Sequence, residues 1–221
     1  MNTRMILSAL LGFALMTMTT YARGDENRAK ANASAAAMET LKIDPNASSI
    51  EWLGKKVLGE HNGEVQFKSG EIMVDNGVIT GGNFVVDMTT IKNHDIEDAD
   101  TRAKLVGHLK SDDFFGVDKH PIATFTIEHA KPIEKATGDQ PNYRIYGTMH
   151  IKGKKNKMGF PARVVMNGNT MTATATMDID RTKYDVRYGS GSFFDNVGNV
   201  LIEDDFTLDL KIVAKKMNSD S

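Results

Sequence analysis

The chain has no cysteine, and that absence excludes disulfides, thiolate metal sites, a thiol nucleophile and a cysteine-borne lipid anchor. Any folded domain must hold together without covalent cross-links between cysteines. An apolar run long enough for a transmembrane helix is missing too: Met5–Met18 falls short of the roughly 20 residues that a span requires. Charge of one sign is also lacking. With 27 Lys and Arg against 29 Asp and Glu, and a formal net charge of −2, the chain lacks the basic excess of a nucleic-acid binder. Neither an HExxH nor a GxSxG sequence occurs, and no solenoid-type repeat.

The N-terminus offers a different signal. Arg4 precedes the apolar run, and Thr20 and Ala22 supply small residues before a cleavage point, the pattern of a secretory signal peptide. Residues 1–22 are expected to be removed, leaving a periplasmic or secreted protein without a stable membrane span. Residues 23–47 are rich in Ala, Asn, Glu and Lys and read as a flexible leader with a short helix over Ala29–Leu41, closed by turn chemistry at Asp44-Pro45-Asn46. One domain over 48–216 and a tail of 217–221 follow.

The domain is organised around Met171–Ile179, where Met171, Ala173, Ala175, Met177 and Ile179 alternate with Thr172, Thr174, Thr176 and Asp178. Successive strand side chains point to opposite faces, so this is a strand with one apolar and one wet side. The pattern recurs around Val65 and Phe67, and again at Ile72 and Val74 before an Asn76-Gly77 hairpin turn. Phe84, Val86 and Met88 continue it, followed by Ala123, Phe125 and Ile127. Further on come Tyr143, Ile145, Gly147, Met149 and Ile151, then Phe160, Ala162, Val164 and Met166, and finally Phe206, Leu208, Leu210 and Ile212. About eight antiparallel strands with one shared apolar face predict an all-β fold, a closed barrel.

A barrel of this size is either packed solid or holds one small ligand. Gly147, Ala162, Ala173 and Ala175 face inward where a solid core would carry larger groups, which favours a ligand. The expected apolar wall is Phe67, Phe84, Val86, Met88, Phe125, Ile127, Met149, Phe160, Val164, Met177, Phe206, Leu208 and Leu210, together with those small residues. Two irregular segments flank it. In the first, Asp98 or Asp100 caps a helix over Thr101–Lys110, and Phe114 and Phe115 follow as a plug over one end of the barrel. In the second, Asp180–Asn199, Arg181 and Arg187 either meet a polar head group or tie the loop to carboxylates such as Asp112 and Asp113.

Three motifs carry a family resemblance. They are Trp52-x-Gly54-x-Lys56-x-x-Gly59-x-His61-x-Gly63, then His108-Leu109-Lys110-Ser111-Asp112-Asp113-Phe114-Phe115 with Pro121 and Phe125 downstream, and Asp180-Arg181-Thr182-x-Tyr184. Together the chain from about Ser48 to Lys216 resembles the YceI-like family. That resemblance implies an extended lipocalin-like antiparallel barrel, binding of polyisoprenoid or similar lipid chains, and no catalytic chemistry.

Other chemistry finds less support. His94, Asp95, Glu97, Asp98 and Asp100 could form a metal site for a hydrolase, yet acids are ordinary before a helix start and the spacing of an EF-hand is missing. Lys152, Lys154, Lys155 and Lys157 crowd one turn, as a solvated hairpin tip does. The expectation is a non-enzymatic protein without cofactor that holds an isoprenoid or other long-chain lipid, with a homodimer allowed. The alternatives are a metal-assisted hydrolase using His94 and the neighbouring acids, and an unliganded structural or stress-related barrel.

Overall fold

The alternating segments all become strands. The computed structural model describes residues 38–194, 198 and 201–217, so the expected signal segment and most of the leader and tail lie outside the described residues. Nine strands form one antiparallel sheet: β1 (Glu39–Ile43), β2 (Ser49–Lys56), β3 (Gly59–Asp75), β4 (Val78–Asn93), β5 (Ile122–Pro132), β6 (Tyr143–Ile151), β7 (Lys154–Asn167), β8 (Thr170–Asp180) and β9 (Ile202–Lys216). Helix α1 (Ala99–Lys110) sits between β4 and β5, and a 3-10 turn (Arg181–Tyr184) follows β8.

Strands β2 to β9 form a ring, because β3 pairs with β4 as well as β2, and β2 pairs with β9. The result is a closed eight-strand barrel. The additional strand β1 pairs with β3 at Glu39↔Val74 and with β9 at Ile43↔Ala214, the same two neighbours that β2 has. Strands β1 and β2 therefore share one position in the ring, interrupted by the turn at 44–48. Ser48 bridges the interruption: its hydroxyl donates to the Asp44 carbonyl at 2.7 Å and accepts from the Val213 amide at 3.0 Å.

This corrects the expected start of the domain. Residues 39–43 are barrel strand rather than leader, and 39–41 are not helix; 29–37 lie outside the described residues. The physical reason is short-range alternation, since Leu41 and Ile43 are buried while Thr40 and Lys42 are exposed. Met166, expected inside, is exposed at the end of β7 beside the Gly168 turn. At the predicted hairpin, Asn76 and Gly77 both take positive φ, 51° and 78°, as a two-residue turn between twisted strands demands.

Polar residues cover the outside. On β8, Met171, Met177 and Ile179 are buried while Thr174, Thr176 and Asp178 are exposed, and the Thr207 hydroxyl donates to Asp178 across the strands at 2.7 Å. A lipid-facing barrel carries its apolar residues outward; here they face in.

The two ends differ. One holds the tight turns after β3 and β7 and the longer loop 133–142 after β5, and is sealed by packing: Leu41 pairs with Ile72 and Met171 with Ala214, and none of the four is more than 2% exposed. Helix α1, the 3-10 turn and the turns after β2 and β6 all gather at the opposite end.

Candidate functional site

Inside the barrel lies an apolar cavity of about 240 Å³. Ala173 and Ala175 on β8, and Phe206, Leu208, Leu210 and Ile212 on β9, point inward yet are only partly buried. Their exposed surface faces the cavity, so the open space lies against this wall. Ile202 and Ile212 both line it; ten residues apart on one strand, they span on the order of 33 Å. Phe67, Phe84, Val86 and Met88 line the opposite side with Phe125, Ile127, Met149 and Phe160. Ala162, Val164, Met177 and the plug residue Phe114 complete the expected set.

Gly147 is the exception. A β-carbon there would meet the Thr126 carbonyl oxygen at 2.2 Å and the Phe125 ring at 2.7 Å. The space is already taken by Phe125, whose ring lies 5.5 Å from that of Phe160. The small residue makes room for a neighbour, not for a ligand.

Over the open end, Asp98 caps α1 by accepting from the Thr101 amide at 2.8 Å, and Leu105 and Leu109 face the cavity. Phe114 is buried against His108 and Tyr188, with centroid distances of 4.9 Å and 5.5 Å, and Phe115 meets Phe206 edge-on at 6.3 Å. The plug thus rests on both irregular segments. Lys152, from the turn after β6, fastens them together by donating to the Asp112 carbonyl at 2.8 Å and the Asp185 carbonyl at 3.1 Å.

Arg181 lines the cavity, but its donors are engaged within the chain. It is 4% exposed, and its guanidinium donates to the carbonyls of Glu203, Val186, Tyr188 and Ile202 at 2.9–3.0 Å, with Asp204 at 3.6 Å. A buried planar fork with five donors suits this clamp on the loop. Arg187 lies apart from the cavity, paired with Asp185 at 2.8 Å and stacked over Phe193. Neither arginine reaches Asp112 or Asp113, which pair with Lys119 and His108. Beside the clamp, burial pushes the Tyr184 hydroxyl up to about 12, assisted by Asp180.

The polar side of the mouth was not legible as a site. Lys55, Lys56 and His61 line the cavity's open end with Glu203 and Asp205. Trp52, Gly54 and Lys56 share the inward parity of β2 with Ile50, so a lysine at an inward position was the available signal. Lys56 Nζ lies 3.2 Å from His61 Nε2, and His61 Nδ1 lies 2.8 Å from Asp95. Burial alone would raise the Asp95 carboxyl, but hydrogen bonds from the Asn62 amide, His61 and Asn93 outweigh it and carry the pKa down to about 2.

The acidic stretch near His94 does not assemble. His94 approaches Glu64 at 3.9 Å, Asp98 caps a helix and Asp95 holds His61. Among the described residues no three His, Asp or Glu side chains converge as metal ligands. No helix among the described residues is long and apolar enough to cross a membrane.

Comparisons with known proteins agree with this architecture. A family described as "YceI-like domain" matches residues 41–214. Among solved structures, BcnA of Burkholderia cenocepacia aligns with a TM-score of 0.61 at 22% identity, over 78% of this chain and 99% of that one. A polyisoprenoid binding domain from Saccharophagus degradans, implicated in plant cell wall breakdown, aligns with a TM-score of 0.55 at 13% identity, over 82% and 100%. A YceI protein from Campylobacter jejuni gives 0.51 at 17% identity, over 69% and 84%. A search of curated proteins found no match.

Proposed function

The chain belongs to the YceI-like family, and from that premise we propose that it is an exported lipid-binding protein. It holds a long apolar, polyisoprenoid-like chain along the barrel axis, as a carrier or sequestering protein, and catalyses no reaction. The observation that carries this reading is the apolar cavity against the Ala173 and Ala175 wall, sealed at one end and lidded at the other. Its structural neighbour from Saccharophagus degradans, a polyisoprenoid binding domain, points to the same ligand class. The secretory pattern of residues 1–22 supports a periplasmic or secreted location.

Magnitudes limit what the cavity does by itself. A cavity of about 150 Å³ admits benzene, so about 240 Å³ corresponds by proportion to about ten carbons, or two isoprene units. At roughly 0.8 kcal/mol per buried methylene this contributes about 8 kcal/mol, and association costs at least about 4. What is left corresponds to affinity of about millimolar at best. Tight holding requires the wall to yield to a longer chain or the mouth to add a polar contact.

The test is to fill the wall. Ala175→Leu and Ala173→Phe are expected to lower uptake of a fluorescent polyisoprenoid probe at least about tenfold while the circular dichroism of the barrel is unchanged. Undiminished uptake in both variants would refute a ligand along this wall. Mass spectrometry of an organic extract of the native protein identifies what it carries, and extracts free of lipid would favour an unliganded structural barrel.

A further inference from the structure

Three features at the mouth are unexplained by an all-hydrocarbon ligand. The Trp52 indole Nε1 is buried and has no hydrogen-bond acceptor among the described residues. Buried donors are almost always satisfied, so an orphan in a cavity wall asks for a partner. Next to it on the same face of β2, a β-carbon added to Gly54 would meet nothing within 4 Å, although Gly54 lines the cavity. The backbone there borders open space. One step further along that face, the only side-chain hydrogen bond of Lys56 among the described residues runs to His61 Nε2 at 3.2 Å, which leaves ammonium donors to spare.

The group is also positioned. With Lys56 donating to Nε2, the His61 proton sits on Nδ1 and is donated to Asp95, itself fixed by the Asn62 amide at 2.9 Å and by the Asn93 side chain. Asp95, just before α1, thus orients His61, and His61 orients Lys56. Trp52 is held from behind, since a β-carbon on Gly63 would strike its ring at 2.7 Å.

We infer that the ligand is an amphiphile whose head presents an accepting oxygen, a carbonyl or a carboxylate, seated over Gly54 between the Trp52 indole N–H and the Lys56 ammonium. The charges lining the mouth set the head's size and charge. Lys55 and Lys56 are balanced by Glu203 and Asp205, and the Arg181 donors are spent on carbonyls. This balance accommodates one oxygen-bearing group of low charge and disfavours a polyanion such as a diphosphate. The inference rests on the lipid-holding reading above and adds to it the chemistry of the chain's terminus.

Trp52 is the only tryptophan in the chain, so its emission reports on this seat. The experiment titrates full-length protein with hexadecane, methyl hexadecanoate and hexadecanoate, following binding together with tryptophan fluorescence. At least one oxygen-bearing probe should bind about tenfold tighter than hexadecane and shift the emission, which hexadecane should not. Preference for the ester marks a neutral carbonyl head; preference for the acid marks a carboxylate. Trp52→Phe, Lys56→Met and Gly54→Val should each reduce the preference while hexadecane binding persists, and Gly54→Val does so without removing either donor. Equal binding of all three probes by the wild-type protein, or an intact preference in all three variants, would overturn the head-group seat and leave the lipid-holding reading standing. Failure of every probe to bind would remove both.

Discussion

Leu41, Met171 and Ala214 are at most 1% exposed at one end of the barrel, whereas at the other Leu105 and Leu109 of α1 remain only half-buried beside the cavity. The sealed end excludes water by filling space with cross-strand pairs. The open end excludes it with segments that lie across the mouth and are fastened by polar groups: Arg181 on four carbonyls, Lys152 on two, Asp95 on His61. The lesson is that one alternating pattern supplies both walls, and the difference lies in what closes them. Packing is non-directional and close to permanent; a few polar fastenings can open without unfolding the strands.

The sharpest way to break this comparison is at its strongest fastening. Arg181→Met should cost about 4 kcal/mol in urea unfolding, because it leaves buried carbonyls and Asp204 without their partner; a loss under about 1 kcal/mol would mean that the loop is held by its apolar contacts instead. Next comes a matched truncation at the two ends. Leu41→Ala should cost about 3 kcal/mol by leaving a void in the seal, and Leu105→Ala less than about 1 kcal/mol. Equal losses would erase the distinction between a packed end and a lidded one.

The smallest effect is set by pH. Asp95 titrates at about 2 when folded, below the ordinary 3.8, so its contribution is complete above the ordinary value. It fades as pH falls through that range and is gone below about 2. Asp95→Asn should therefore lower stability at neutral pH by roughly 1 kcal/mol, with the gap to the wild type shrinking between about pH 4 and pH 2 in acid unfolding curves. A gap that stays constant across that range would show that Asp95 acts through shape alone.

The wall was readable because period-two alternation fixes which side chains point inward. Met171 through Ile179 show it plainly, and so do the aromatic positions from Phe67 to Phe206. Strand β1 was hidden by its brevity: Leu41 and Ile43 alternate, but five residues behind an Ala-rich stretch carry little signal. Gly147 shows the limit of a rule about size. Sequence marks a small inward residue, whereas only the sheet register reveals that Phe125 turns its ring into the gap. Arg181 shows the same limit for charge, since nothing local tells whether a guanidinium meets a ligand or four carbonyls. Trp52, Lys56 and His61 were visible as family motif residues, yet their convergence needs β2, β3 and the loop after β4 in place together.

Among the described strands β9 follows all the others in the chain, and it is also the neighbour of the first two. The ring therefore cannot shut until Ile202–Lys216 is free to pair, and partners such as Leu41 and Lys216 must meet across nearly the whole domain. Contacts so distant in sequence form late, after the loop-closure entropy has been met. Until then the sheet is an open ribbon with two raw edges. The Lys216 ammonium, 2.6 Å from Glu39, is the final clasp, so a half-synthesised chain has the staves of a vessel but no hoop around them.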